Sequence, residues 1–262
     1  MAFTEILVED VDDVSVIRLN QPSSLNAFTP KMLEEVHSAF EVCASRSRAI
    51  ILTSAGRAFS SGANITTALA PTDRDADFDA GAMLETHINP LMLYLRGLPV
   101  PWISAVRGAA AGFGCSIALA ADMIVASDTA YFLQAFSRIG LVPDGGAAWL
   151  LARSAGRVRA MELMLLGERL PAAKALEWGM INRVVSDDIL DTAAIELAAA
   201  LAAGPTRTFG LIRELAWLAA DGELPAVLAA ERTSQRKAGA TADCAEGFSA
   251  FMQKRPPIFS GD

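Results

Sequence analysis

A chain of 262 residues, 52% hydrophobic and 20% charged, can bury one substantial core, as one large domain or one domain with an appendage. Its net charge of −8, from 22 basic and 30 acidic residues, argues against nucleic acid as the main partner, because phosphate contacts need clustered Lys and Arg. No apolar run reaches the roughly 20 residues of a membrane span, no secretory segment opens the chain, and three scattered cysteines make neither a disulfide framework nor a zinc site; a cytoplasmic protein without membrane, metal or redox cofactor is expected.

In chain order, Val14–Leu19 reads as a strand ending in the turn cluster Asn20-Gln21-Pro22-Ser23-Ser24. Thr29 is a fair N-cap, and Pro30 suits the first position of a helix whose apolar face is Met32, Leu33, Val36 and Phe40. Residues 49–53 form a short buried strand leading to a glycine-bearing turn, Phe59-Ser60-Ser61-Gly62-Ala63-Asn64-Ile65. Residues 73–79 are acidic and read as a solvated loop. Residues 81–98 are helical, with Met83, Leu84, Ile88, Leu91, Met92 and Leu95 at the apolar positions, and Pro99-Val100-Pro101 stops them. A strand over Trp102–Val106 enters a second glycine turn, Val106-Arg107-Gly108-Ala109-Ala110-Ala111-Gly112-Phe113-Gly114-Cys115, which opens a helix over 112–121; a strand over 122–126 follows. From Asp144 onward the pattern is nearly all helix: Arg157–Leu166, then 171–178, 188–203, 205–219, 223–237 and 241–254. The Gly204-Pro205 break separates a core, 1–203, from a helical region, 204–262, apolar enough to cover a partner subunit or the main body. Strands alternating with helices imply an α/β fold with parallel pairing.

The two glycine turns share a design. Each follows an apolar strand and leaves backbone N–H groups free to point at a ligand. Two such donors, brought together, stabilise an oxygen that gains negative charge, and a helix N-terminus beside the second favours the same charge.

Six ordered segments carry a resemblance. They are Leu19-Asn20-Gln21-Pro22 with Leu25-Asn26-Ala27-Phe28, the two glycine turns, Ile139-Gly140-Leu141-Val142-Pro143-Asp144-Gly145-Gly146, Glu177-Trp178-Gly179-Met180-Ile181-Asn182-Arg183-Val184-Val185, and Phe251-Met252-Gln253-Lys254-Arg255-Pro256-Pro257. Together they resemble the enoyl-CoA hydratase/isomerase, or crotonase, superfamily over nearly the whole chain. The resemblance implies a ββα spiral with a C-terminal helical region that packs trimers, often paired into hexamers. It implies an acyl-CoA thioester substrate, with coenzyme A as part of the substrate. It places the oxyanion donors at the amides of Ala63 and Phe113. Ala27, Ser61, Asn64, Ile65, Gly112, Ser116 and Pro143 would contact substrate or its CoA arm, and Lys254 would reach the nucleotide end from a neighbouring subunit. Asn64 stands where the family more usually has aspartate.

Family hydratases use two glutamates. At those places this chain has Ser116 and Phe136, and no Glu lies in 105–156. A serine hydroxyl without a base partner is a poor general base. Asp144 remains, where some superfamily isomerases, including the ring-epoxide isomerases of phenylacetyl-CoA breakdown, carry their carboxylate. One carboxylate suffices for a proton shift, and burial beside Phe113, Phe136 and Trp149 is expected to raise its pKa toward neutrality. An aspartate before a helix is also a common N-cap. The alternatives are a hydratase in which Ser116 or Glu85 helps a water, an aryl-CoA dehalogenase-like enzyme acting through Asp144, whose family histidine base falls at Asn89, two positions from His87, and a non-catalytic acyl-CoA-binding paralogue. Met83, Leu84, Leu91, Met92 and Leu95 read as core with an acyl-facing edge. Arg107 reads equally as a CoA contact or a surface charge. His37 reads as solvated and Cys115 as core.

Overall fold

The structure, a computed structural model, describes residues 3–64 and 79–262. Ile65 and all but the last residue of the acidic stretch 73–79 lie outside the described residues.

Among the described residues, nine short strands form two sheets. The larger has the order β1(Ile6–Val11), β2(Val14–Leu19), β3(Ala49–Ser54), β4(Trp102–Val106), β6(Met123–Ser127), β9(Arg183–Val185). Within it only β1 and β2 pair antiparallel; the other neighbours are parallel. The smaller sheet joins β5(Ala109–Ala111), β7(Tyr131–Leu133) and β8(Leu170–Pro171). Parallel strands need helical crossovers. Here α1(Pro30–Ala44) links β2 to β3, α2(Asn89–Arg96) precedes β4, and α3(Phe113–Leu119) precedes β6. As the sequence implies, Thr29 caps α1: its hydroxyl accepts the Met32 amide at 2.9 Å.

Every residue of β3 and β4 is buried, which explains their unbroken apolar runs. Alternation then divides them between two faces. Ala49, Ile51, Ile103 and Ala105 pack under α7(Leu190–Ala202), through Leu190, Ala194 and Ala198. Ile50, Leu52, Trp102 and Val106 face the main core with Phe28, Phe40, Phe59 and Phe113.

Two departures from the sequence reading matter. The region after Asp144 is not wholly helical: after α4(Ala147–Ser154), α5(Arg157–Leu166) and α6(Ala172–Glu177), β9 adds the sixth strand of the main sheet. Ala109–Ala111, inside the second glycine turn, is itself a strand. Three-residue strands are too short to display a period. The helix over 81–98 also opens with a π-turn, Leu84–Ile88.

At the Gly204-Pro205 break the helices before and after meet at 103°. The following helix, α8(Thr206–Asp221), returns onto the body. Its buried Arg213 ion-pairs with Asp122 Oδ2 at 2.6 Å and donates to the carbonyls of Leu98 and Leu95. Beyond it, α9(Leu224–Ala238) and α10(Ala242–Gln253) expose Leu224, Leu228, Phe248, Phe251 and Met252. Among the described residues, no single helix is long and apolar enough to cross a membrane.

Candidate active site

The two glycine turns meet. A Cβ at Gly112 would lie 3.7 Å from Gly62 Cα, and one at Gly62 would lie 2.9 Å from the Ala111 carbonyl oxygen. Both hold a positive φ, 100° at Gly62 and 52° at Gly112. Bridges between Ser60 and Ala110 and between Phe28 and Ala63 lock the turns into the fold. Close approach also needs Gly114, where a Cβ would come within 2.6 Å of Ser60 Cβ.

Asn26 staples the first turn to the segment before it, a role the sequence reading missed. It is fully buried at φ 52°. Its side chain donates to the carbonyls of Ala55 and Ala58 at 2.9 Å and accepts the Gln21 amide at 2.8 Å. The Ser60 hydroxyl donates to its carbonyl at 2.7 Å. The signal was present: an amide before a buried turn carries three hydrogen-bonding groups, as such a staple requires.

Ala63 and Phe113, each following one of the abutting glycines, line the same cavity of about 480 Å³. Phe113 begins α3, so its N–H has no intrahelical acceptor. Among the described residues neither amide donates to a protein group. The Phe113 ring packs edge-on against Phe28, with centroids 4.9 Å apart.

Asp144 lines this cavity too. Its Oδ1 is buried and, among the described residues, has no hydrogen-bond partner. Burial alone pushes its carboxyl from an ordinary 3.8 up to about 7. It does not cap the following helix: Gly146 holds the N-cap position, and no side-chain cap bond is made there. Phe113 and Phe136 share the cavity with Asp144, as expected, but Trp149 does not. Trp149 lines a second cavity, of about 370 Å³, on the far side of Gly145 and Gly146.

Neither Ser116 nor Pro143 lines the cavity among the described residues. Ser116 is fully buried, and its hydroxyl donates to the Asp144 carbonyl at 2.9 Å, fixing the backbone that carries the carboxylate. Gly112 and the exposed Ser61 do line it. Ala27 is buried beside Phe28, whose carbonyl accepts the Asn64 amide at 2.9 Å. Lys254 is exposed, in a left-handed turn after α10, and does not line this cavity.

Of the remaining candidates, Glu85 is exposed and outside the cavity. His87 lines it from the π-turn, but both ring nitrogens are engaged, Nδ1 with Thr86 Oγ1 at 2.7 Å and Nε2 with Glu34 Oε1 at 3.2 Å. Asp79, assigned by sequence to a solvated loop, also lines the cavity, with Oδ1 accepting the Gly81 amide at 2.7 Å. Arg107 pairs with Asp187 at 3.0 Å. Cys115 is buried and its thiol is pushed up to about 12, so it is core.

Residues 9–262 match the family described as enoyl-CoA hydratase/isomerase. The chain is 42% identical to the 1,2-epoxyphenylacetyl-CoA isomerase of Escherichia coli K12 over 259 residues, 95% of each chain. It is 37% identical to a probable enoyl-CoA hydratase of Rhodobacter capsulatus over the full length of both. Among solved structures, an enoyl-CoA hydratase subunit of Geobacillus kaustophilus superposes with a TM-score of 0.92 at 33% identity, over 99% of each chain.

Proposed function

The chain belongs to the enoyl-CoA hydratase/isomerase family, and from that premise we propose that it catalyses a proton-shift isomerisation of an enoyl- or ring-type acyl-CoA thioester, with Asp144 as the single acid/base. The observation that carries this reading is the unpartnered, buried Asp144 Oδ1 in one cavity with two unclaimed amides.

The steps follow from the geometry. Asp144 takes a proton from the carbon next to the thioester or conjugated with it. The electron pair moves onto the thioester oxygen, which accepts hydrogen bonds from the Ala63 and Phe113 amides. Such a donor is typically worth about 3–4 kcal/mol to the transition state. Asp144 then returns its proton to a different carbon. A base titrating near 7 suits this work at neutral pH. Coenzyme A enters as part of the substrate, and its arm lies along Ala27, Ser61, Asn64 and Gly112. The apolar faces left open on α9 and α10 support a homotrimer, alone or paired, in which Lys254 serves a neighbour's nucleotide. The reading places the enzyme in the cytoplasm.

The place of one hydratase glutamate holds a serine spent on the Asp144 carbonyl, and the other holds an aromatic ring, which supports isomerisation over hydration. The engaged ring of His87 weighs against the dehalogenase-like alternative. The test is NMR of α- and γ-proton exchange in heavy water for a panel of acyl-CoA esters, with wild type and Asp144→Asn. Exchange that vanishes in the variant, with no water added to product, is the expected result. Equal exchange in both proteins refutes Asp144 as the base. Binding without exchange in the wild type favours a non-catalytic paralogue.

A further inference from the structure

We propose that Asp221, the last residue of α8, is a positioning residue that holds together the two walls of the acyl cavity from behind. The inference rests on the reading of Asp144 as acid/base and adds a specificity role for the C-terminal region.

The two walls come from separate parts of the chain. One is the π-turn Leu84–Ile88 running into α2; the other is the Asp144 loop running into α4. Each helix sends side chains outward to the same carboxylate. From α4, Trp149 Nε1 donates to Asp221 Oδ1 at 3.0 Å and Arg153 Nη2 donates to the same oxygen at 2.7 Å. From α2, Arg96 Nη2 donates to Asp221 Oδ2 at 2.7 Å. Both carboxylate oxygens are thus used, one per wall. Aromatic rings fix the spacing: the Arg96 guanidinium lies 5.2 Å from the Trp149 ring and 5.6 Å from that of Trp217, another α8 residue. Arg153 stacks over Trp149 at 4.1 Å. A planar guanidinium satisfied by a carboxylate and stacked on rings has little freedom left.

Asp144 lies three residues before α4, and His87 two before α2. Moving either helix end changes the gap between the Met83–His87 wall and Asp144, and so the acyl shape accepted and the dryness around the carboxylate. The titratable groups in that cavity among the described residues are Asp79, His87 and Asp144; those on Asp221 are Arg96 and Arg153.

The experiment compares wild type, Asp221→Asn and Trp149→Phe in the full chain. It reads the pH profile of kcat/KM and the KM ratio between an arylacyl-CoA and a four-carbon enoyl-CoA. Asp221→Asn is expected to lower the acidic midpoint by about one unit, as water reaches Asp144, and to change the KM ratio at least about threefold. Trp149→Phe alters no charge and removes one hydrogen bond, so it is expected to move both readouts the same way by less. Arg207→Gln breaks an exposed pair with Asp262 in the same region and is expected to move neither. Unchanged midpoint and ratio in Trp149→Phe overturn the proposal even if Asp221→Asn fails to fold, because a pure charge effect spares that variant. Asp144→Asn, run in parallel, tests the parent reading separately: retained turnover there refutes the single-aspartate mechanism, while the KM ratios still decide the role of Asp221.

Discussion

Replacing Asp144 with asparagine is expected to change the stability of this protein by an amount that depends on pH. A carboxyl raised from 3.8 to about 7 by burial keeps its proton in the folded chain while the unfolded chain releases it. The folded state therefore binds more protons between those two values, and wild-type stability falls as pH rises through that window. The fall is complete above the folded value. At about 1.4 kcal/mol per unit, the full cost approaches about 4 kcal/mol by pH 8, of which about 1.6 is already present at pH 5. The asparagine of the variant has no charge to desolvate, so the difference in unfolding free energy, variant minus wild type, is expected to grow by about 2–3 kcal/mol between pH 5 and pH 8. The buried amide adds its own unfavourable contribution, but that contribution does not vary with pH and drops out of the slope. Urea unfolding of both proteins at pH 5, 6, 7 and 8, with matching m-values, measures it. A difference that stays flat across this range refutes the raised pKa, and with it the argument that the cavity prepares Asp144 as a base.

Three further outcomes follow from the packing. Ser116→Ala removes the donor to the Asp144 carbonyl and is expected to cost about 1 kcal/mol of stability and less than about tenfold in kcat; a loss above about a hundredfold marks Ser116 as chemically involved instead. Gly114→Ala drives a methyl to within 2.6 Å of Ser60 Cβ. It is expected to destabilise by about 1–3 kcal/mol and to slow turnover by parting the two amides, which melting curves and steady-state kinetics together check. Arg213→Met strands Asp122, whose carboxyl is already pushed above its ordinary range by burial. A loss of about 3–5 kcal/mol is expected in denaturant unfolding, and a loss under about 1 kcal/mol excludes this pair as the anchor of α8.

Most long elements were legible because their periods are long enough to count, but the six-residue strand Ile6–Val11, largely exposed and acidic at its end, was not. Val14–Leu19 and Arg157–Leu166 have the bounds their patterns imply, and the Pro30 helix starts at the capped position. The strands Ala109–Ala111, Tyr131–Leu133 and Arg183–Val185 were not legible. Three residues show no alternation, and what makes them strands is a neighbour from elsewhere in the chain. The site divides the same way. Gly62, Gly112 and Asp144 announce themselves by residue type and setting. Trp149 was misplaced beside Asp144 because sequence proximity does not say on which side of a backbone wall a ring emerges. With Gly145 and Gly146 between them, the carboxylate and the indole point into different cavities. Asp79 is exposed, as an acidic run implies, and what the run does not show is that the fold sets its last member at the cavity.

The unsatisfied groups of this site explain why so much of the surrounding structure is over-determined. Among the described residues, a buried Asp144 oxygen without a protein partner costs free energy in the resting protein, and two amides beside it stand without a protein acceptor. A chain left to relax would turn Asp144 toward solvent or close the turns onto each other. Several independent restraints oppose that relaxation. Asn26 makes three side-chain hydrogen bonds around the first turn, and Ser60 ties that turn to the Asn26 carbonyl. The Gly114–Ser60 approach holds the second turn against the first. Ser116 fixes the Asp144 backbone while leaving its side chain alone. None of these residues need touch a substrate. Their substitution is therefore expected to lower kcat with little change in substrate affinity, the mark of lost preorganisation, whereas a lost binding contact raises KM and leaves kcat. If Asn26→Ala, in the folded fraction, raises KM and spares kcat, the turns are a binding surface and not a prepared oxyanion site.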